Sequence, residues 1–278
     1  MAILVTGGTK GIGFTIAHRF AKPGTDVFLN YHSDEAAATN AKQKIDQLGA
    51  RAHLIRADVG TPSGASAAID QVKSNTDRLD QLVHCAVHVI AKPALEADLD
   101  DFTRAVNLNG NALLYLVQAA LPLLQRGSRI VIKNYAAVGV GKALAESLVR
   151  YLAVELAPRG VRINAVAPGA VDTDALRAVF GAETDKILQH SVDQNPSGRS
   201  VQHDDYSSLI EYLASPAADS KNSVALGRLD PVHLSIQPHA TAGMLGACRL
   251  QRERLTARDA GRRREIQGCV GTQGCACV

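Results

Sequence analysis

The chain has 278 residues, enough for one large α/β domain, and its 30 Lys and Arg residues nearly balance its 27 Asp and Glu residues. Such a small net charge argues against nucleic acid or an anionic membrane surface as the partner and favours a small molecule. The longest apolar stretch, 112–124, contains Gln118 and Pro122 and is too short to span a bilayer.

The chain start and the cysteines bear on location and metal binding. Residues 1–5 lead into a glycine turn without the basic and long apolar regions of a signal peptide, so we expect a cytoplasmic protein. The spacing of the five cysteines fits neither a zinc site nor a regular disulfide framework, so we expect reduced thiols and no metal site. They are Cys85, Cys248, Cys269, Cys275 and Cys277.

Short β-branched runs alternate with longer helical patterns up to about residue 219, which is typical of βαβ units. Strands are predicted at 3–6, 26–30, 52–57, 81–86, 129–133 and 162–167. Helices are predicted at 11–21, 34–48, 63–75, 99–124, 136–156 and 204–214. This order predicts an α/β fold with a doubly wound parallel sheet, a Rossmann fold, of six strands with a seventh in doubt.

The last part of the chain differs in composition. Residues 221–278 contain no Phe, Tyr or Trp, and 252–264 are rich in Arg. A core is not easily built from such material. We therefore expect one α/β domain at 1–219 and a poorly ordered tail at 220–278, in which 232–236 could form a substitute edge strand. The Arg-rich run is interpreted as solvated, with an anionic-partner patch as the alternative.

A glycine turn lies between the first strand and the first helix. Gly7 permits a tight turn, Gly11 allows the backbone to approach a pyrophosphate, and Gly13 allows close packing of the helix. The free N–H groups of the helix would bind the phosphates. The turn therefore predicts a dinucleotide site, against a glycine-rich turn without ligand. Its residues are Gly7, Gly8, Thr9, Lys10, Gly11, Ile12 and Gly13.

The end of the second strand indicates which dinucleotide binds. NAD-binding folds usually have an acidic residue there, whereas this chain continues Asn30, Tyr31, His32, Ser33. Without a carboxylate to repel it, a 2′-phosphate could be held by Lys10, Ser33 and His32. We therefore predict NADP(H), while noting that Lys10 could be a solvated surface lysine and His32 a loop residue.

Further motifs resemble the short-chain dehydrogenase/reductase family over residues 1–219. The family's adenine-contacting pair matches Asp58 and Val59, and the asparagine of its proton relay matches Asn107. Its Asn-Asn-Ala-Gly element is replaced by His84, Cys85, Ala86 and Val87. Its Pro-Gly turn and the cofactor-contacting threonine after it match Pro168, Gly169 and Thr173. The resemblance implies that Cys85 and Ala86 also lie at the cofactor.

The catalytic Tyr/Lys pair departs from the usual pattern. Val138 occupies the family's usual tyrosine position before Lys142, and Tyr135 lies seven residues before the lysine. In a helix, a spacing of seven residues separates the tyrosine and the lysine by about 10.5 Å along the axis, whereas the usual spacing of four separates them by about 6 Å. This spacing resembles the bacterial enoyl-acyl-carrier-protein reductases of short-chain-dehydrogenase type. It implies that Tyr135 stabilises or protonates an enolate oxygen, with Lys142 on the nicotinamide ribose. The alternative is that Tyr135 only packs on the subunit surface.

A serine loop that the family places after the fifth strand is missing. Residues 130–134 run from the strand straight into Tyr135, and Ser128 lies at the wrong end of the strand. Enoyl reductases can work without that serine, so its absence favours enoyl reduction over ketone reduction.

Three hypotheses follow for the function. The first is NADPH-dependent reduction of an enoyl thioester, either a small molecule or carrier-bound. The second is reduction of a 3-oxoacyl or polyketide ketone, and the third is an inactive nucleotide-binding protein. Residues 173–198 are predicted to form a mobile lid. The apolar helices 99–124 and 136–156 suit a homo-oligomer, a dimer or a tetramer.

Smaller candidates receive structural interpretations. A cysteine at a buried strand end such as Cys85 is most often a core filler. We expect no catalytic role for His88, and we expect Asp172 and Asp174 to cap a helix after the Pro-Gly turn.

Overall fold

The computed structural model describes residues 1–90, 92, 94–133, 139–223 and 225–226. Strands and helices alternate along the chain, as predicted. The strands are β1 (Ala2–Thr6), β2 (Asp26–Tyr31), β3 (Arg51–Arg56), β4 (Gln81–His84), β5 (Arg129–Lys133), β6 (Arg162–Val166) and β7 (Ala225–Leu226). The helices are α1 (Gly11–Phe20), α2 (Glu35–Asp46), α3 (Pro62–Lys73), α4 (Leu99–Val106), α5 (Ala112–Ala120), α6 (Gly139–Leu156), α7 (Asp174–Phe180), α8 (Thr184–Gln194) and α9 (His203–Ala214).

All strand pairs are parallel, and the order across the sheet is β3-β2-β1-β4-β5-β6-β7. The predicted doubly wound α/β sheet is therefore confirmed. The chain builds outward from β1 to β3, then returns to the other side of β1 to add β4. Ligands of such sheets bind beyond the carboxyl ends of the strands where the order reverses, which here are the ends of β1 and β4.

Two apolar layers cover the faces of the sheet. In β1, Leu4 belongs to the layer formed with α3, α5 and α6, whereas Ile3 and Val5 belong to the layer formed with α1, α2 and α9. Because successive side chains of a strand point to opposite faces, strands covered on both sides become almost continuously apolar. This explains why runs such as 3–5 could be recognised in the sequence.

The predicted helix 99–124 is divided into three parts. Between α4 and α5 lies a π-helical segment, Asn107–Asn111, and the Asn111 side chain donates to the Asn107 side-chain oxygen at 2.8 Å. Helix α5 ends at Ala120 because Pro122 has no N–H to donate to the Gln118 carbonyl. The periodicity was continuous enough to predict one helix, but it did not indicate the inserted segment.

The predicted lid, 173–198, contains two helices rather than a loop. Helix α7 has no buried residue, and the buried residues of α8 are Thr184 and Ser191. Because neither helix buries an apolar stripe, hydrophobic periodicity gave no signal for them. The predicted helix 136–156 is observed from Gly139, since residues 134–138 lie outside the described part of the chain.

The seventh strand is a short parallel pairing of Ala225 and Leu226 with β6. The sheet thus continues beyond Asp219, the predicted end of the domain. Asn222 accepts a hydrogen bond from the Ile163 N–H at 2.9 Å and donates to the Ala153 carbonyl at 3.2 Å, which joins β6 to α6. The possible strand 232–236, the Arg-rich run 252–264 and the cysteines after Cys85 lie outside the described residues.

Candidate active site

The glycine turn has the backbone conformation that its sequence predicted. Gly7 and Gly11 have φ angles of +62° and +51°, values that glycine adopts without strain. A Cβ on Gly7 would lie 3.0 Å from the backbone of Ala86, and a Cβ on Gly13 would lie 2.2 Å from the Gly7 carbonyl oxygen. Gly13 therefore allows α1 to pack against the turn itself.

Gly11 faces a different neighbour. The nearest atom to a Cβ at this position is the methyl carbon of Thr173, 3.5 Å away, in the loop after β6. Thr173 caps α7 by accepting from the Leu176 N–H. The predicted caps are therefore wrong: Asp172 pairs with Arg177 at 2.6 Å, and Asp174 is the first residue of α7. The contact brings the Pro168–Gly169 loop against the glycine turn.

The N-terminus of α1 is free to bind an anion. Lys10 precedes the helix in an extended conformation without a side-chain cap, and the first turn contains no acidic residue. The first N–H groups of a helix lack partners within the helix, and its dipole is positive at this end. The turn therefore fits a dinucleotide pyrophosphate. Of its other predicted residues, Gly8 donates to the Asn30 carbonyl at 3.1 Å, and Ile12 is buried in the apolar layer.

A buried histidine connects the turn to the segment after α4. Nε2 of His84 lies 3.0 Å from the Leu108 carbonyl oxygen, and Nδ1 lies 2.8 Å from Oγ1 of Thr6. Since a carbonyl can only accept, Nε2 carries the proton and Thr6 donates to Nδ1. Burial, reinforced by the charge of Lys142, lowers the pKa of His84 to about 3, which keeps the ring neutral.

The end of β4 is fixed by the same threonine. The backbone N–H groups of Cys85 and Ala86 both donate to Oγ1 of Thr6 at 3.2 Å, so β4 ends at His84, earlier than predicted. Burial raises the pKa of the Cys85 thiol to about 11. The sulfur is therefore a neutral thiol at neutral pH, which supports the core-filling interpretation.

Two lysines are buried close to each other, Lys133 at the carboxyl end of β5 and Lys142 on α6. The ammonium of Lys142 donates to the Lys133 carbonyl at 3.1 Å, and both side chains lie in the interior. Burial, with Lys133 as the second cause, lowers the pKa of Lys142 to about 7, and burial lowers the pKa of Lys133 to about 8. Both protonation states of Lys142 are therefore populated near neutral pH.

Asn109, in the π-helical segment, fixes the backbone of the loop after β4. Asn109, which is fully buried, accepts from the His88 N–H at 3.1 Å and donates to the His88 carbonyl at 2.7 Å. Asn109 was not among the predicted site residues, whereas the predicted Asn107 accepts a hydrogen bond from the Asn111 side chain. Asn109 is buried within the π-helical segment, which the sequence pattern did not indicate.

Helix α6 approaches this segment closely. A Cβ on Gly141 would lie 2.8 Å from Cβ of Asn109, and a Cβ on Gly110 would lie 2.9 Å from the Gly141 carbonyl oxygen. Two glycines facing each other thus allow near contact between the backbones. As a result, Lys142, next to Gly141, lies beside the asparagine-rich segment.

A cavity of about 310 Å³ gathers much of the predicted dinucleotide site. Among the predicted residues, it is lined by Gly7, Thr9, Lys10, His32, Ser33, Asp58, Val59 and Ala86. It is also lined by Asn30, Tyr31, Asp34, Ala57, Val87, His88, Arg104 and Leu108, which were not predicted to bind cofactor. The Asn30 amide donates to the Ala57 carbonyl at 3.0 Å, linking the ends of β2 and β3.

The charged groups of this cavity are partly paired. Lys10 donates to Asp34 at 2.8 Å, and this hydrogen bond lowers the pKa of the Asp34 carboxyl. The aspartate also caps α2 by accepting from the Ala37 N–H. His32 lies 4.0 Å from Asp58. Asp34 is thus a carboxylate that the prediction of an acid-free strand end did not take into account.

A second cavity, of about 340 Å³, lies past the end of β6. Pro168 contributes to its wall, and Gly169 follows with a φ of +79°. Helix α9 supplies Asp205, Tyr206 and Leu209, and the rest comes from the β6 end and residues 195–201.

Tyr135, the predicted proton donor, lies outside the described residues. Residues within the described ranges form no cluster of three or more His, Cys, Asp and Glu side chains suited to a metal ion. Within the same ranges, each helix is too short or too polar to reach across a bilayer.

Comparison with known proteins gives consistent matches. The family model described as enoyl-(acyl carrier protein) reductase matches residues 7–223. A 1-cyclohexenylcarbonyl-CoA reductase from Streptomyces collinus is 31% identical over 225 residues, covering 77% of this chain and 80% of that protein.

Solved structures match a similar share of the chain. A short-chain dehydrogenase from Burkholderia cenocepacia in complex with NADP is 32% identical, with a TM-score of 0.74 over 81% of this chain and 94% of the other. An angucycline C-6 ketoreductase, LanV, with bound NADP is 25% identical, with a TM-score of 0.72 over 80% of this chain and 91% of the other.

Proposed function

This chain belongs to the short-chain dehydrogenase/reductase family, and we propose that within it the protein reduces an enoyl thioester with NADP(H). The observation that carries the proposal is the buried Lys142, seven residues after Tyr135 rather than four after a tyrosine. The similarity to a CoA-thioester reductase supports the same substrate class.

Each part of the cleft has a task in this reaction. The uncapped N-terminus of α1 binds the pyrophosphate, and Asp58 with Val59 lies at the adenine. A lysine ammonium has three donors, and since Lys142 gives one to the Lys133 carbonyl, two remain for the ribose hydroxyls. Bound NADPH would supply the hydride for the β-carbon.

Tyr135 serves the other end of the substrate. When a hydride reaches the β-carbon of an enoyl thioester, negative charge develops on the thioester oxygen. In this proposal Tyr135 donates its phenolic proton toward that oxygen, and the positive charge of Lys142, seven residues later in the sequence, favours the resulting phenolate. Asn107 is retained as the proposed relay residue, with proton return to the tyrosine as its task.

The role of Tyr135 can be tested by substitution. Tyr135→Phe should lower turnover of crotonyl-CoA by about 100-fold, the usual contribution of a positioned general acid. The matched control is Tyr212→Phe, because Tyr212 on α9 is 41% exposed and lines neither cavity. NADPH consumption is measured for both, together with NADPH affinity. Unchanged crotonyl turnover in Tyr135→Phe would contradict the assignment.

Ketone reduction is the second candidate. It is favoured by the similarity to the NADP-bound angucycline ketoreductase. Paired assays of NADPH consumption with crotonyl-CoA and acetoacetyl-CoA distinguish the two reactions. Enoyl reduction requires the crotonyl thioester to be the better substrate, whereas faster acetoacetyl turnover would replace it by ketone reduction. NADPH binding without turnover of either thioester would indicate a nucleotide-binding protein without activity.

The proposal includes the setting of the enzyme. We place it in the cytoplasm as a homo-oligomer acting on free or carrier-bound thioesters, with a reductase domain that extends past the predicted end at Asp219 to include β7. Helix α6 exposes Val140, Tyr151 and Val154, which share one side of the helix and suit a subunit contact. Light scattering of the purified protein checks this, since a monomer would remove the contact from the proposal.

A further inference from the structure

One cation in the dinucleotide cavity differs from the others in its surroundings. The acidic and basic side chains in the lining of this cavity are Lys10, Asp34, Asp58, Arg104 and the two histidines His32 and His88. Apart from the histidines, the two cations Lys10 and Arg104 face the two carboxylates Asp34 and Asp58. A phosphate dianion entering this cavity therefore meets no net attraction from the wall as a whole, and its binding depends on which cation is available.

The charge of Lys10 is already engaged. Its ammonium lies 2.8 Å from Asp34, and that carboxylate is held in place as the cap of α2. Each histidine also has an acid nearby: His32 lies 4.0 Å from Asp58, and His88 bonds Asp101 at 2.6 Å. Lys10 and both histidines therefore already have a carboxylate as neighbour before any ligand arrives.

Arg104 has no such partner. Its guanidinium makes no hydrogen bond or ion pair with another residue in the described part of the chain, and the side chain is exposed on α4. An arginine carries a permanent charge and five donors in a planar fork that suits phosphate oxygens. Arg104 is therefore the cavity cation with its full charge and donors free for a ligand.

The packing of α4 places this arginine at the adenosine end. Leu108, about one helical turn after Arg104, packs against the turn that follows β3. A Cβ on Gly60 would lie 3.4 Å from Cβ of Leu108 and 3.1 Å from a carboxylate oxygen of Asp58. The wall formed by α4 is thus in contact with the turn that contains the proposed adenine-binding residues.

We infer that Arg104 is a specificity-determining residue that binds the 2′-phosphate of NADP(H) from the α4 side of the cleft. The inference rests on the proposed NADP(H) dependence and identifies the side chain that supplies the selectivity. Lys10, in this arrangement, mainly neutralises Asp34, so that the carboxylate does not repel the phosphate. Without Arg104, the two aspartates of the lining would outnumber the remaining fixed cation.

Binding of fragments to the full chain tests this directly. Adenosine 2′,5′-bisphosphate and AMP differ by the 2′-phosphate, so calorimetric titration of both gives its contribution without turnover. Arg104→Gln should weaken bisphosphate binding by about 10- to 100-fold, the range for a charge-assisted hydrogen bond, and change AMP binding less than about threefold. Arg104→Lys should keep part of the preference, because the charge remains.

The control is Arg126→Gln, in the loop before β5 at the opposite edge of the sheet, which should bind both ligands as the parent chain does. Thermal unfolding of each variant shows whether the fold is retained. Equal weakening of AMP and bisphosphate by Arg104→Gln, or an unchanged preference, would overturn the assignment to Arg104. A parent chain that does not prefer the bisphosphate would instead overturn the proposed NADP(H) dependence.

Discussion

The glycine turn and the pair of buried lysines on β5 and α6 differ in what determines their properties. The turn is proposed to bind a pyrophosphate with backbone groups, and its conformation depends on Gly7, Gly11 and Gly13, where a side chain would be strained or would collide. The junction between β5 and α6 depends on the side chains of Lys133 and Lys142, whose protonation is set by burial. A cofactor-binding turn can therefore be inferred from residue types, whereas the protonation of the two lysines depends on an environment that several elements create.

The largest expected effect tests the tight packing of the glycine turn. In Gly13→Ala, the new methyl carbon would lie 2.2 Å from the Gly7 carbonyl oxygen, so the turn or α1 must move. We expect a loss of about 3 kcal/mol in the free energy of unfolding, the upper range for overpacking, together with loss of NADPH binding. Urea unfolding and a fluorescence titration measure the two effects.

The matched control for that variant is Gly139→Ala at the start of α6, where the new methyl group would have no described atom within 4 Å apart from its chain neighbours and its own helix backbone. It should unfold as the parent chain does. If both alanine variants were equally stable, the tight packing at Gly13 would be contradicted.

The sheet edge next to β6 gives the second effect. Truncation after Asp219 removes Asn222, which bonds both β6 and α6, as well as the β7 pairing. Each buried partner left without its hydrogen bond costs about 1–3 kcal/mol, so we expect a loss of at least about 2 kcal/mol. Truncation after Leu226 keeps these contacts and should unfold at a clearly higher temperature. Equal melting temperatures would show that residues 220–226 contribute nothing to stability.

A third effect tests the wall of the catalytic region. Asn109→Ala leaves the N–H and carbonyl of His88 without the amide that now binds both, which costs about 2 kcal/mol. Asn111→Ala is the control, because its side chain bonds only Asn107 in the described structure and should lose less than about 1 kcal/mol. Denaturant midpoints compare the two, and a reversed order would contradict the role of Asn109.

The smallest effect is a pH dependence of stability in the junction. Burial lowers the pKa of Lys142 in the folded chain from its usual 10.5 to about 7, so the unfolded chain binds more protons above pH 7. Stability should therefore rise with pH from about 7 to 9, below the usual pKa of the Cys85 thiol. Urea midpoints across this range measure the rise.

Substitution separates the lysines from other groups. Lys142→Met removes one titrating amine, so its stability should rise less steeply with pH than that of the parent chain. The control is Lys44→Met on α2, whose side chain is exposed and which should keep the parent slope. An unchanged slope in Lys142→Met would show that this amine is not the titrating group.

Much of the fold was open to prediction because its signals are local. Six strands and the helices around them follow from apolar runs and helical periods, and their observed bounds differ by a few residues at most positions. Helices α7 and α8 were missed because they bury no apolar stripe. The π-helical segment was missed because an inserted residue does not change the apolar composition of the surrounding helix.

The candidate site divides in the same way. The residue types of the sequence by themselves determined the doubly wound sheet and the glycine turn, since the absence of a Cβ and the burial of both sheet faces restrict residue type position by position. Only the tertiary structure decided that Asp34 neutralises Lys10, that Asn109 rather than Asn107 is buried, and that Lys142 has a pKa of about 7. Each of these depends on atoms from elements distant in the chain, and the distances and desolvation that set such interactions exist only after folding.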